Sequence, residues 1–101
     1  MTGENVSAAD ILYKISSVIE DRRVNPKQGS YTNYLLDKGT DKILKKIGEE
    51  TAEVIIGAKN GEKNEIIYEI SDLLYHLSVL MNEKSIAWDE IFNELDSRYG
   101  R

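Results

Sequence analysis

Two adjoining stretches decide the fold: TDKILKKIGEETAEVIIGAKNG at residues 40–61 and EKNEIIYEISDLLYHLSVLMN at residues 62–82. In both, apolar residues recur every three or four positions, which is the spacing of an amphipathic α-helix. Thr40 is expected to cap the first helix. Asn60-Gly61 is expected to end it, because glycine readily takes the left-handed backbone found there. The two stretches therefore predict a long antiparallel helical hairpin.

The rest of the chain also predicts helices. It contains one proline and no long alternation of apolar and polar residues, so strands are not expected. A capping box beginning at Ser7 predicts a first helix, which is expected to end before Pro26. A short helix over 30–38 and a last helix from about residue 87 complete the set. The sequence thus predicts an all-α fold of about five helices.

Length and composition indicate one small domain. The 101 residues are 41% hydrophobic, and a chain of this size buries roughly 65% of its surface on folding. We expect a flexible tail at residues 1–6 and a single all-α domain at residues 7–101. Cysteine is absent, which excludes disulfides, thiolate metal sites and cysteine nucleophiles. No apolar run approaches the roughly 20 residues of a membrane span, and no signal peptide is recognisable, so we expect a cytoplasmic protein without a membrane partner.

Acidic residues follow the same flank of both hairpin helices. A helix advances about 100° per residue, which places Glu50 at the edge of the apolar stripe and Glu53 about 60° further round. Glu69 and Asp72 repeat this arrangement, in the same rotational sense, on the second helix. When the helices pack antiparallel, flanks of equal sense meet on one side of the seam. The four carboxylates are therefore expected to converge.

Converging carboxylates repel one another unless a cation lies between them. Mg²⁺ prefers oxygen ligands and commonly shares its coordination shell with substrate phosphates. The net charge of −5 disfavours nucleic acid as a partner, but a bound cation would still allow an acidic protein to hold a phosphate ester. The pattern therefore indicates a phosphate-handling Mg²⁺ site, and a solvated acidic surface is the alternative for each acid taken singly.

This pattern resembles a known signature. Glu-Glu-x-x-Glu at 49–53, followed after 15 residues by Glu-x-x-Asp at 69–72, is similar to the signature of the all-α nucleoside-triphosphate pyrophosphohydrolase (MazG-like) superfamily. Ser-Tyr-Thr at 30–32 and Asp-Leu-Leu-Tyr-His at 72–76 make the chain resemble the phosphoribosyl-ATP pyrophosphatase family of histidine biosynthesis. The resemblance covers roughly residues 12–98.

The resemblance implies hydrolysis of phosphoribosyl-ATP to phosphoribosyl-AMP and pyrophosphate, with Mg²⁺ holding the triphosphate. Glu49 lies apart from the acidic strip and is the candidate catalytic residue, either as a general base or as a group that orders the metal ligands. The predicted metal ligands are Glu50, Glu53, Glu69 and Asp72.

Basic and polar residues near the acidic strip are candidates for binding the nucleotide. Lys46 precedes Glu50 by one turn and projects over the same groove, whereas Lys45 is less well aimed. His76 continues the strip one turn beyond Asp72. Helix-dipole, capping and core roles are the alternatives for such residues. The predicted substrate-binding set is completed by Arg22, Ser30, Tyr31 and Thr32.

The second hairpin helix also carries a second apolar face, with Tyr68, Tyr75 and Val79 opposite the first. A helix that is apolar nearly all round is buried on both sides, which a small monomer does not easily provide. We therefore expect a homodimer built on the hairpins. Two other functions stay open: a house-cleaning (deoxy)nucleotide pyrophosphohydrolase of the same superfamily, and a noncatalytic helical dimerisation module.

Overall fold

A computed structural model describes residues 7–100 of the chain. This part contains no strand, so the all-α prediction is confirmed, and the predicted helix limits are close to those found. The predicted tail at residues 1–6 lies outside the described residues. The five helices are α1 (Ala8–Val24), α2 (Tyr31–Lys38), α3 (Thr40–Asn60), α4 (Lys63–Glu83) and α5 (Trp88–Tyr99).

Local interactions set the helix ends. Ser7 caps α1 by accepting a hydrogen bond from a backbone N–H of the first turn, as predicted. Gly39 and Gly61 have φ values of 88° and 73°, which only glycine adopts freely, and they turn the chain after α2 and α3. The prediction that Thr40 caps α3 is wrong: Gly39 holds the cap position. The Thr40 hydroxyl instead donates to the Glu83 carboxylate at 2.6 Å, which ties the start of α3 to the end of α4.

The hydrophobic core lies where the first four helices meet. α3 and α4 form the predicted hairpin, and α1 and α2 pack against it. Each of these four helices contributes one side chain that is almost completely buried, so all four depend on the same core. These side chains are Ile19, Leu35, Ile43 and Val79.

α4 faces its neighbours differently from the sequence prediction. Val79 is fully buried and Tyr75 packs against the core, although we expected both on a face covered by a partner chain. Ile70, which belongs to the apolar spacing that predicted the hairpin, is 43% exposed. The reason is that α1 and α2 also pack on α4. The second apolar face therefore finds its partners within the monomer, and only Tyr68 of the predicted outer face remains exposed.

Asn33 fixes the connection between α1 and α2. Its side chain is largely buried, and its Oδ1 accepts a hydrogen bond from the Lys27 backbone N–H at 2.9 Å. Its Nδ2 donates to the Arg22 carbonyl oxygen at 2.7 Å. Ser30 caps α2 by accepting from the Asn33 backbone N–H. These bonds satisfy buried polar groups and hold the first turn of α2 in place against α4.

α5 attaches to α1 through aromatic side chains. Trp88 is buried and stacks on Phe92 with 5.7 Å between the ring centroids. Phe92 meets the edge of the Tyr13 ring, and the Tyr13 hydroxyl donates to the Asp89 carboxylate. Among the described residues, no helix combines the length and apolar character needed to cross a bilayer.

The core assignment can be tested with Leu35→Ala. Leu35 is fully buried, so truncation should lower the free energy of unfolding by roughly 2–5 kcal/mol. Leu95→Ala on α5 is the matched control, because Leu95 is half exposed and should lose less than about 1 kcal/mol. Urea unfolding followed by circular dichroism measures both variants. Equal losses would contradict the position of the core.

Candidate active site

An acidic pair, Glu50 of α3 and Asp72 of α4, lies across the hairpin seam. Glu50 is 8% exposed and Asp72 is half-buried. One carboxylate oxygen of each, together with a ring nitrogen of His76, lie within 4.8 Å of one another. The antiparallel packing therefore brings these two acids together, as the helical phases predicted.

The electrostatics of the acidic pair disfavour ionisation of Glu50 and favour the binding of a cation. Burial raises the pKa of Glu50 to about 7, and the hydrogen bond and negative charge of Asp72 act in the same direction. The nearby Lys46 ammonium offsets only part of this rise in the pKa of Glu50. Two carboxylates at this range repel one another when both are ionised. A divalent cation with oxygen ligands would relieve the same repulsion.

The two other predicted ligands lie beside this pair. Partial burial raises the pKa of Glu69, and the charges of Glu53 and Asp72 raise it further. The charge of Glu69 in turn raises the pKa of Glu50. Glu53 is exposed on the outer side of α3. All four acids thus influence a common region, but of the four only Glu50 and Asp72 belong to the close cluster that the described residues form.

His76 is almost completely buried and is held on both ring nitrogens. Its Nδ1 lies 2.8 Å from the carbonyl oxygen of Asp72, one turn earlier on α4. A carbonyl oxygen only accepts, so Nδ1 carries the hydrogen. In the neutral ring Nε2 then accepts from the Tyr31 hydroxyl at 2.9 Å. Both nitrogens are engaged, so His76 acts here as a support for Asp72 and Tyr31, and the acidic pair offers oxygen ligands alone.

Lys46 lies over the acidic pair, as predicted. Its Nζ is 3.2 Å from a Glu49 carboxylate oxygen and 4.0 Å from a Glu50 oxygen. The hydrogen bond with Glu49 raises the pKa of Lys46, so Lys46 keeps its positive charge. Its charge also reaches the Tyr31 hydroxyl. Glu49, the predicted catalytic residue, is therefore held at the rim of the site by Lys46.

Two predicted phosphate-binding residues lie elsewhere. Lys45 is exposed on α3, and Arg22 pairs with the Asp21 carboxylate of α1 at 3.0 Å. Within residues 7–100, no ion pair joins either residue to Glu50 or Asp72. Their assignment to substrate therefore stays a prediction.

The three residues Ser30, Tyr31 and Thr32 make different contacts. Ser30 caps α2, and only Tyr31 reaches the acidic cluster, through His76. Thr32 is buried and exchanges a hydrogen bond with the Tyr75 hydroxyl. We did not predict this supporting role of Tyr75, although its position next to His76 in the acidic motif was the available signal. Asn33, which directly follows the triplet, was also missed.

Comparisons with known proteins identify the family of the chain. The family model described as phosphoribosyl-ATP pyrophosphohydrolase matches residues 8–99. The chain belongs to this family. The family prediction is therefore confirmed, and the match includes every predicted site residue.

Curated relatives of the family fall into two kinds. Proteins named "Histidine biosynthesis bifunctional protein HisIE" from Caldanaerobacter subterraneus subsp. tengcongensis and Thermoanaerobacter pseudethanolicus are 55% and 65% identical, over 95% and 85% of this chain. The chain spans 47% and 40% of their respective lengths, about half. A protein named "Phosphoribosyl-ATP pyrophosphatase" from Clostridium acetobutylicum is 56% identical over 88% of this chain and 81% of its own length.

The raised pKa of Glu50 predicts how stability depends on pH. The ordinary carboxyl pKa is 4.5 and that of folded Glu50 is about 7, so between these values the folded protein binds a proton that the unfolded chain has released. The metal-free protein should therefore lose up to about 3 kcal/mol of unfolding free energy as pH rises through this window. Glu50→Gln should remove most of that dependence.

Urea unfolding in EDTA at several pH values between 4.5 and 8 measures the effect. Glu94→Gln is the control, because Glu94 is exposed and forms an ion pair with Arg98 on its own helix, so its variant should keep the wild-type pH dependence. An unchanged slope in Glu50→Gln would contradict the raised pKa of Glu50.

Proposed function

We propose that this chain hydrolyses phosphoribosyl-ATP to phosphoribosyl-AMP and pyrophosphate, a step of histidine biosynthesis, with Mg²⁺ as cofactor. The observation that carries this proposal is the close Glu50–Asp72 pair, set across the hairpin of a chain that belongs to the phosphoribosyl-ATP pyrophosphohydrolase family. The relative from Clostridium acetobutylicum, most of whose length the chain spans, is named for this activity.

The residues present fit Mg²⁺. The carboxylates of Glu50 and Asp72 supply oxygen ligands, and the hydrogen bonds of His76 leave no free nitrogen that would favour zinc. Glu50 and Asp72 would hold the ion, and Glu53 and Glu69 are the further ligands on the same flank. When bound, Mg²⁺ neutralises the charge that develops on the phosphate oxygens during hydrolysis.

The side chains around the pair then divide the work of hydrolysis. Lys46 exchanges its ion pair with Glu49 for the outer phosphates of the substrate, because a triphosphate carries more charge than one carboxylate. That exchange frees the Glu49 carboxylate to take a proton from the attacking water. The water oxygen bonds to one of the two phosphorus atoms that flank the bridging oxygen between the α- and β-phosphates. That bridge breaks, and phosphoribosyl-AMP and pyrophosphate leave.

The metal-site proposal is tested with Asp72→Asn. The substitution keeps the shape but removes a negative ligand, so Mg²⁺-dependent turnover should fall by about 100-fold or more. The rise in melting temperature that Mg²⁺ gives the wild type should be lost as well. Asp96→Asn is the matched control, because Asp96 is exposed on α5. Full Mg²⁺-dependent activity in Asp72→Asn would refute the ligand assignment.

Substrate identity is tested separately, by pyrophosphate release from phosphoribosyl-ATP, dATP, dCTP and dUTP, with and without Mg²⁺. Preference for phosphoribosyl-ATP by at least tenfold in kcat/KM is expected. Preference for a deoxynucleotide would support the house-cleaning alternative instead. No metal-dependent turnover of any of the four would favour the noncatalytic module.

We further propose that the chain forms a homodimer through the outer end of the hairpin. Apolar side chains of α3 and α4 are exposed close to the Gly61 turn, where the two helices run side by side. Exposed apolar side chains of this kind commonly mark a protein interface, and these lie outside the hydrophobic core of the monomer. The patch consists of Ile55, Ile56, Ile67, Tyr68 and Ile70.

The dimer is tested with Ile56→Glu, which places a charge in the patch and should shift sedimentation from dimer to monomer. Leu95→Glu is the control, because Leu95 is an equally exposed apolar residue on α5, outside the patch. A wild-type monomer, or a dimer that tolerates Ile56→Glu, would refute this interface.

We also propose a cytoplasmic location, since the relatives are named for a biosynthetic pathway, and we expect no nucleic-acid partner because the chain is acidic.

A further inference from the structure

A second feature lies on the other side of Tyr31 from the acidic pair. It is an open cavity of about 750 Å³ between the α1–α2 connection and the outer face of α2. Ligand pockets of small molecules commonly have this size. Its walls include Lys27, Gln28, Tyr31, Tyr34 and Asp37. Of these five residues, Tyr31 also contacts the acidic cluster, through His76.

Aromatic rings form one wall of this cavity. Tyr31 and Tyr34 stack with 6.0 Å between their centroids, and both side chains remain partly exposed. Tyr31 also stacks on Tyr75, at 6.3 Å. Because the rings stack on one another, an aromatic surface is formed before any ligand arrives, and a planar base can pack against it at low entropic cost.

Positive charge collects at the Tyr34 end of this wall. The Lys38 and Lys42 ammonium groups lie 5.8 and 5.9 Å from the centroid of the Tyr34 ring. The turn at Gly39 brings these two lysines, from the end of α2 and the start of α3, to the same ring. Lys27 and Asp37 line the cavity itself. The two lysines beside Tyr34 therefore offer cations to a phosphate group at the edge of the cavity, whereas Asp37 offers a carboxylate to a basic ring.

The opposite wall is also fixed in advance. The Lys27 backbone N–H donates to the buried side chain of Asn33, and the Ser30 N–H donates to the Lys27 carbonyl oxygen. Tyr31 joins the cavity to the acidic cluster, because it lines the cavity and its hydroxyl bonds to His76. A nucleotide whose phosphates lie at Glu50 and Asp72 can therefore reach this cavity with its base end by passing along Tyr31.

We propose that this cavity binds the end of the substrate remote from the triphosphate: a purine base that carries a second, phosphorylated ribose. The purine packs against the Tyr31–Tyr34 wall, and the 5′-phosphate of the second ribose lies at Lys38 and Lys42. Substitution at N1 makes the purine basic, which suits the carboxylate of Asp37. This assignment rests on the proposed hydrolysis of phosphoribosyl-ATP and explains how the chain would distinguish that substrate from ATP.

The aromatic wall is tested with Tyr34→Leu, with Tyr34→Phe as the matched control that keeps the ring. Stacking of a base on an aromatic side chain predicts that Tyr34→Leu raises KM for phosphoribosyl-ATP by about tenfold or more, with kcat within about threefold of wild type. Tyr34→Phe should behave like the wild type. Inhibition by inorganic triphosphate, which lacks the base, should be equal in all three proteins.

The phosphate position at Lys38 and Lys42 is tested with Lys42→Ala, by calorimetric titration with phosphoribosyl-AMP and with AMP. Affinity for phosphoribosyl-AMP should fall about tenfold, whereas affinity for AMP, which lacks the second phosphate, should stay within about twofold. An equal change for the two ligands would overturn the assignment of the phosphate.

The two proposals fail in different ways. Wild-type protein that does not release pyrophosphate from phosphoribosyl-ATP would refute the proposed function itself. Wild-type turnover together with an unchanged KM in Tyr34→Leu would refute only the cavity assignment. Weaker inhibition by triphosphate in Tyr34→Leu would also refute it, because the substitution would then act through the acidic pair.

Discussion

The contact between Glu50 and Asp72 is the constraint around which the rest of the molecule is arranged. Hydrophobic packing of α3 against α4 brings two carboxylates together in a place where water cannot fully screen them. The site therefore works against the stability of the fold, because burial and like charge both penalise ionisation of Glu50. Such a cost is typical of a binding site, where a ligand supplies the missing charge.

α2 connects this site to the core and to the neighbouring cavity. Consecutive residues of its first turn have different tasks: Tyr31 reaches His76, Thr32 bonds to Tyr75, and Asn33 holds the preceding loop. Leu35, one turn later, is fully buried. A helix of eight residues would be marginal alone, but here the buried leucine and the three polar contacts fix its position. The cavity wall and the support of the acidic pair are therefore properties of one rigid element.

The sequence predicted the structure correctly where apolar residues and acidic residues follow the same helical spacing. The apolar spacing of α3 and α4 predicted the hairpin, and the phase of the acids relative to that spacing predicted that Glu50 and Asp72 meet. It failed where a residue has more than one available neighbour. Val79 and Tyr75 looked like a surface for a partner chain because sequence does not reveal that α1 and α2 pack on that side of α4.

The sequence by itself determined the fold class, the helix limits and the family, because helical periodicity, turn residues and the acidic motif are local patterns. Only the tertiary structure decided that Tyr31 bonds to His76 and that Tyr31 and Tyr34 line a cavity. Tyr31 and His76 are separated by 45 positions along the chain. Their contact depends on how α2 is placed against α4 by the shared core, and the packing of four helices around that core is not a local property of any of them.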